Sequence, residues 1–348
     1  LSSDLVWSGE EGINELDYTL VLTSSEKSEI QQALKFFSGL GLDGSQVTKD
    51  TFPLPTLQHR LHSLSRDLHQ GRGFFTIRGL DPDEFSPEDN ILVFLGISSY
   101  IAEKRAKQDD HGNLFAHIRQ AKLPSVPQED RPVRDSNLPS AFHTDMFCNV
   151  LAMQIRGCAA SGGNHIIASA WNVYNELART RKDLLEVLAT PNWTFDHRGR
   201  LMEPDKRPLL YYHGGKVILN FVRQPIMGLA NVARSNGLPT VTPQQVEALD
   251  AIQSIAEKHQ HHLSMQLGDL IFINNLSILH AREGFQDDEE NTRYLVRMWL
   301  KNESLAWKLP LPLQRGNERL FNSLDIEEKW NIRYQPRLRF PLRERLSP

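Results

Sequence analysis

The stretch GDLIFINNLSILHAREGF, residues 268–285, decides how the chain folds. Its run LIFI, residues 270–273, is apolar throughout and predicts a strand buried on both faces. The end of that strand delivers a histidine, His280. Working outward, RYLVRMWL (293–300) reads as another strand downstream. Upstream lie VLAMQI (150–155), HIIASA (165–170), LLYY (209–212) and KVILNF (216–221), all rich in branched and aromatic residues and separated by Gly-, Pro- and Asn-bearing turns. Two helices interrupt this series from about Val150 onward. One spans Trp171 to Leu188. The other runs from Pro243 to about His261, with Thr242 as N-cap, Pro243 at the first helical position and Gln245 three residues after the cap.

The N-terminal third reads as helical. Ile30, Ala33, Leu34 and Phe37 recur at helical spacing, with Gly39 or Gly41 as a stop. Leu57, Leu61, Leu64 and Leu68 form a second stripe, followed by a short strand over 74–77, and a third helix spans Glu88 to Glu103. Helices first, then many short strands with inserted helices, predict an α+β sandwich or small barrel flanked by helices. A doubly wound parallel sheet would alternate strand and helix regularly, and this chain does not. No linker divides it, so residues 1–348 read as one domain.

Composition narrows the function. The 348 residues carry 39 Lys+Arg against 43 Asp+Glu, a net charge of −4. Nucleic-acid binding would need a basic domain or stripe, so that partner is not expected. Two cysteines exclude a disulfide scaffold and fit a reducing compartment. The longest apolar stretch, Asn90 to Ala102, is interrupted by Gly and Ser and falls short of the roughly 20 residues of a membrane-spanning helix. The opening LSSDLVWSGEE has no basic n-region and no apolar h-region, so no secretory signal is read there. The chain does not begin with Met, which leaves a lost leader open. A soluble, cytoplasmic protein is the expectation.

Gly39-Leu-Gly-Leu-Asp-Gly44 matches GxGxxG letter for letter, but it follows a helix where the dinucleotide motif follows a strand. It reads as a helix C-cap and loop. Of the 13 histidines, only His143 is followed two residues later by an acid, Asp145. More than one such pair is expected by chance, so the surroundings matter. In an extended segment residues i and i+2 project to the same side, and SAFHTDMFCNVLAMQI runs straight into a strand. His143 and Asp145 can therefore face one metal ion, and His280 offers a third ligand. In RYLVRMWL, Arg293, Leu295, Arg297 and Trp299 share one face, and neither face is solvated. Two arginines in a buried strand need anionic partners, from this chain or from ligands. Two His and one carboxylate are the ligand set of non-haem iron(II) oxygenases.

The ordered series His143-Thr-Asp145 … His280 … Arg293 resembles the TauD/TfdA-like, or clavaminate-synthase-like, branch of the Fe(II)/2-oxoglutarate dioxygenases. GFFTIRGL, SGGNHIIASAWNVYNEL and the two C-terminal segments extend the likeness over most of the chain, and it looks closest to fungal members of specialised metabolism. The resemblance implies a double-stranded β-helix (jelly-roll) core over about 141–305, preceded by a helical part over about 1–140 and followed by an extension over 306–348. It implies that His143, Asp145 and His280 bind Fe(II) and that Arg293 pairs with the distal carboxylate of 2-oxoglutarate. Arg297 falls where relatives hold an anionic group of the prime substrate, although sharing the co-substrate carboxylate or a structural role stays open.

This chain departs from the pattern after the SGG turn. Many relatives carry a Ser or Thr there that bonds the co-substrate, and this chain has His165. Its ring either donates that bond or points into the core. The expected reaction consumes O₂ and 2-oxoglutarate and oxidises a C–H bond of a small, carboxylate-bearing molecule such as an amino acid or derivative. Hydroxylation, desaturation or ring closure are all open. A zinc hydrolase with the same three ligands and a non-catalytic jelly-roll binder of metal or 2-oxoglutarate are the alternatives. The histidines His259, His261 and His262 read as a helix C-terminal cluster, and the sequons at Asn192, Asn275 and Asn302 carry no signal.

Overall fold

Strand alternation sorts the apolar side chains into two layers, and the site lies between the sheets that result. The computed structural model describes residues 1–123, 125–196, 205–229, 233–323 and 325–336. The part of the expected C-terminal extension beyond 336 therefore lies outside the described residues. In chain order the structure begins with β1 (Thr19–Val21), α1 (Ser24–Gly39), α2 (Gln58–Gln70), β2 (Phe74–Arg78), α3 (Pro87–Ile101), β3 (Lys104–Ala106) and β4 (Ala116–Ile118). There follow β5 (Ser140–His143), β6 (Val150–Gly157), β7 (Ser161–Gly162), β8 (His165–Ser169), α4 (Ala170–Thr180) and α5 (Lys182–Ala189). Next come β9 (Trp193–Phe195), β10 (Asp205–Arg207), β11 (Leu210–His213), β12 (Lys216–Leu219), α6 (Arg223–Met227) and α7 (Pro243–Lys258). The chain closes with β13 (His261–His262), β14 (Leu270–Asn274), β15 (Ile278–Arg282), β16 (Phe285–Gln286), β17 (Tyr294–Lys301) and α8 (Leu311–Asn322).

The major sheet runs β1-β2-β14-β6-β17-β3, with β4 also paired to β17. The minor sheet runs β13-β8-β15-β5. Facing each other, the two form a jelly roll. Along β17, Val296, Met298 and Leu300 join Ala152, Phe75 and Phe272 in the layer that packs under α1, α2 and α3. Leu295 and Trp299 point the other way, into the layer between the sheets with Leu151, Met153, Ile273 and Leu279. A one-residue slip of β17 would send its arginines into the helical layer, so the apolar pattern itself fixes where Arg297 points.

The helices start and stop where their residue types direct. Thr23 and Glu26 make a reciprocal capping box at α1, whose buried face is Ile30, Ala33 and Phe37. Past its end at Gly39, Gly41 adopts φ +66°, so the GxGxxG string is a helix exit. Thr242, Pro243 and Gln245 cap α7 as their order predicts.

Three local expectations are corrected. The helix expected over 171–188 is two helices, because Arg181 leaves helical geometry (φ −145°, ψ 66°) between α4 and α5. The helix expected to reach His261 stops at Lys258, and His261-His262 form edge strand β13 against β8. Finally, His280 does not end the LIFI strand. Asn274 turns the chain, its Oδ1 accepting the Leu276 N–H at 3.2 Å, and His280 sits in the middle of a separate strand, β15. Among the described residues no helix is long and apolar enough to cross a membrane.

Candidate metal and co-substrate site

Strand pairing brings the two histidines together. In the antiparallel register of β15 with β5, His280 stands opposite His143, and their ring centroids are 4.2 Å apart. Asp145 lies two residues beyond β5, in a turn held by buried polar side chains. Asn275 accepts the Asp145 N–H through Oδ1 at 2.7 Å and donates to the Asp145 and Cys148 carbonyls at 2.7 and 2.9 Å. Asn220 donates to the same Asp145 carbonyl at 3.1 Å. These amides satisfy backbone groups that the turn takes out of regular pairing.

Asp145 Oδ1 lies 4.0 Å from His143 Nε2 and 3.7 Å from His280 Nε2. One ligand atom from each residue falls within 4.8 Å of the others, so the three can converge on one ion. The carbonyl of Ala141 accepts a hydrogen bond from His143 Nδ1–H at 2.8 Å, which leaves the Nε2 lone pair free for a metal. Burial and the neighbouring His280 hold the His143 imidazole pKa down to about 3, so the ring is neutral as a ligand must be. Burial alone would raise Asp145, but Arg297 and the two histidines more than offset it, and the carboxylate stays ionised.

Arg297 is 6 % exposed and lies beside that carboxylate, its Nη1 3.1 Å from Asp145 Oδ2 and its Nε donating to Gln108 Oε1 at 3.1 Å. Trp299, two residues on and on the same face, donates its indole N–H to Asp145 Oδ2 at 2.5 Å. Sequence reading placed Trp299 on this face but gave it no task, and it did not single out Gln108 or assign Asn275 a task. The spacing from Arg297 to Trp299 was the available signal.

Arg293 enters from the start of β17. Its Nε donates to the Gly163 carbonyl at 2.8 Å, while Nη1 and Nη2, both buried, have no partner among the described residues. Burial and the charge of Arg282 bring its pKa down to about 9, a depression that a bound carboxylate reverses. Gly163 makes this approach possible: it takes φ +79°, and a Cβ there would stand 2.8 Å from Arg293 Cδ. His165, opposite Arg282 on the neighbouring strand, lines the same cavity as Arg293 and His280. Both of its ring nitrogens are buried without partners among the described residues, and burial with the nearby arginines keeps the ring neutral. Of the two orientations expected for His165, the ring is on the cavity wall. The structure thus gathers His143, His165, His280, Arg293 and Arg297 around one cavity, with Asp145 fully buried beside His143, His280 and Arg297.

Arg282 is also part of the cavity wall. It donates to the carbonyls of Val133 (3.2 Å), Ser136 (3.1 Å) and Leu138, tying that segment to the strand that carries His280.

The family model for the taurine catabolism dioxygenase TauD, TfdA family matches residues 38–299 of this chain. The taurine hydroxylase-like protein SAT17 of Stachybotrys chartarum is 33% identical over 342 residues, covering 94% of this chain and 86% of the relative. FR-33289 synthase of Streptomyces rubellomurinus is 24% identical over 315 residues, covering 86% and 89%. In fold, the chain is similar to an asparagine oxygenase solved with Fe(II), 2S,3S-3-hydroxyasparagine and succinate, at TM-score 0.62 and 16% identity over 82% of this chain and 93% of that one. It is also similar to the non-heme iron oxygenase OrfP solved with Fe and alpha-ketoglutaric acid, at TM-score 0.58 and 16% identity over 82% and 94%.

Proposed function

This chain belongs to the taurine catabolism dioxygenase TauD, TfdA family, whose members are Fe(II)/2-oxoglutarate dioxygenases, and on that premise we propose which of its residues carry the reaction. His143, Asp145 and His280 hold the iron, Arg293 with His165 holds the distal carboxylate of 2-oxoglutarate, and Arg297 meets an anionic group of the prime substrate. The observation that carries this reading is the juxtaposition of three convergent ligand atoms with an arginine whose two terminal nitrogens are buried and, among the described residues, unpartnered. An unpaired buried guanidinium is costly, and a carboxylate satisfies it with two parallel bonds.

Bound iron supplies the oxidising power, drawn from O₂ and 2-oxoglutarate, that removes hydrogen from a C–H bond. The chain's own contribution is placement. The Ala141 carbonyl fixes the His143 tautomer, and the amides on the Asp145 backbone fix the height of the carboxylate. Neutral His165 offers either a donor or an acceptor nitrogen without adding charge beside Arg293. Leu151, Met153 and Ile118 give the cavity apolar walls that limit water near the reacting centre.

The substrate is a small molecule bearing a carboxylate, with amino acids and their derivatives first in order. Support comes from Arg297 in the cavity lining and from the amino-acid products bound in the asparagine oxygenase and OrfP structures. The reaction is hydroxylation, desaturation or ring closure. Fe(II)-dependent succinate release, measured across amino acids and their keto and N-acyl relatives under O₂, tests the reading. Stimulation by one class supports it, whereas hydrolytic activity with zinc and no succinate from any substrate would overturn it.

A further inference from the structure

We propose that Trp299 is a positioning residue that restricts Asp145 to a single metal-ligating oxygen. The proposal rests on the metal-site reading above. The two oxygens of Asp145 live in different surroundings. Oδ2 receives the Trp299 indole N–H at 2.5 Å and lies 3.1 Å from Arg297 Nη1 as an ion pair, whereas Oδ1 faces His143 and His280 and takes no indole donor, only the 3.4 Å hydrogen bond of Arg297 Nη1. The indole is rigid, 7 % exposed and locked in the layer between the sheets, with Leu151 its Cα partner on β6. Its ring also lies against the Arg297 guanidinium at 4.9 Å, so one side chain orients both the carboxylate and its counter-charge.

This difference has a chemical consequence. A carboxylate free to turn about its terminal torsion can bind a metal through both oxygens. Two histidines and a monodentate carboxylate leave three positions of an octahedron open, and a bidentate carboxylate leaves two. A co-substrate that chelates through two atoms then has no open neighbour. Engaging Oδ2 with the indole donor, beside the ion-pair contact of Arg297, opposes that mode, and donors of this kind around a ligand also tune metal affinity.

The test uses Co(II) as the probe, added anaerobically to the full chain, with Trp299→Phe retaining the ring but not the donor and Trp299→His retaining a donor. Wild type and Trp299→His should give matching Co(II) absorption spectra. Trp299→Phe should bind Co(II) about tenfold or more weakly, with an altered absorption spectrum as the second carboxylate oxygen takes one of the open positions. Trp307→Phe serves as the structural control, since its indole donates to the His69 carbonyl away from the site, and its spectrum should be that of wild type. Trp299→Phe that unfolds with the wild-type midpoint and shows wild-type affinity and spectrum overturns the inference. Should Trp299→Phe fail to fold, Trp299→His decides: a wild-type spectrum sustains the inference and an altered one overturns it. If Asp145→Ala binds Co(II) as wild type does, the metal-site reading itself is wrong.

Discussion

His143 and His280 are paired across the β5–β15 register, with their rings 4.2 Å apart. The pairing means that backbone hydrogen bonding, and not a flexible loop, sets the spacing of two of the three ligand atoms. Replacing His280 with Ala removes a ligand and leaves the ladder intact. We expect Fe(II) affinity to fall at least about 10-fold with the unfolding midpoint little changed. Equilibrium dialysis against Fe(II) under anaerobic conditions checks this, and unchanged retention would contradict the assignment.

Gly163 and Arg293 are coupled through a close approach that a side chain would obstruct. Gly163→Ala puts a Cβ 2.8 Å from Arg293 Cδ and strains a residue at φ +79°. The variant should lose about 1 kcal/mol or more of stability and should raise the 2-oxoglutarate requirement without weakening metal binding. Urea unfolding and a 2-oxoglutarate titration at saturating metal measure the two effects separately.

His165 has two buried ring nitrogens, without partners among the described residues, on the wall beside Arg293. His165→Phe keeps the shape and removes the hydrogen bond. A lost bond to a carboxylate corresponds to about 1.5–3 kcal/mol, so 2-oxoglutarate should bind roughly tenfold or more weakly. Binding equal to wild type would return His165 to a purely structural place.

Arg297→Gln tests the remaining arginine. The prime substrate should show a KM raised by about tenfold or more, in line with loss of a charge-assisted bond, while the co-substrate's KM moves far less. A change in the co-substrate's KM alone would assign Arg297 to the co-substrate instead, and equal changes in both would trace to its ion pair with Asp145.

Arg282 ties three carbonyls of the 133–138 segment to the strand that carries His280. Arg282→Ala takes the side-chain donor from all three. The Val133 carbonyl keeps the Ser136 N–H, whereas the carbonyl of buried Ser136 loses its donor, at about 1–3 kcal/mol for a group left buried. Amide hydrogen exchange in residues 133–138 should accelerate more than in β6 or β14. Uniform acceleration across the sheet would show a global loss of stability instead.

Much of this site is written in local sequence. The apolar alternation of RYLVRMWL and the cap at Thr242 follow from period and residue type and appear in the structure as that pattern dictates, and the i, i+2 spacing brings His143 and Asp145 together although Asp145 lies past the end of β5. What local sequence does not carry is long-range partnership. Asn275 resembled a core asparagine or a meaningless sequon, and its value lies in contacts with Asp145, 130 positions away. The break of β14 from β15 was hidden because LIFINNLSILH is apolar on both sides of its turn. The Asn274 side chain that makes the turn reads equally well as a strand residue. Trp299 was legible as a face and not as a donor, since its partner sits in the turn after β5, 154 positions away.

The most direct measurement is the visible charge-transfer band formed on anaerobic addition of Fe(II) and 2-oxoglutarate, recorded for wild type, Asp145→Ala and Arg293→Ala. We predict a saturable band in wild type, no band in Asp145→Ala, and in Arg293→Ala a band that needs about tenfold or more 2-oxoglutarate to saturate. A wild-type protein without the band, or an Asp145→Ala variant that keeps it undiminished, would contradict the account.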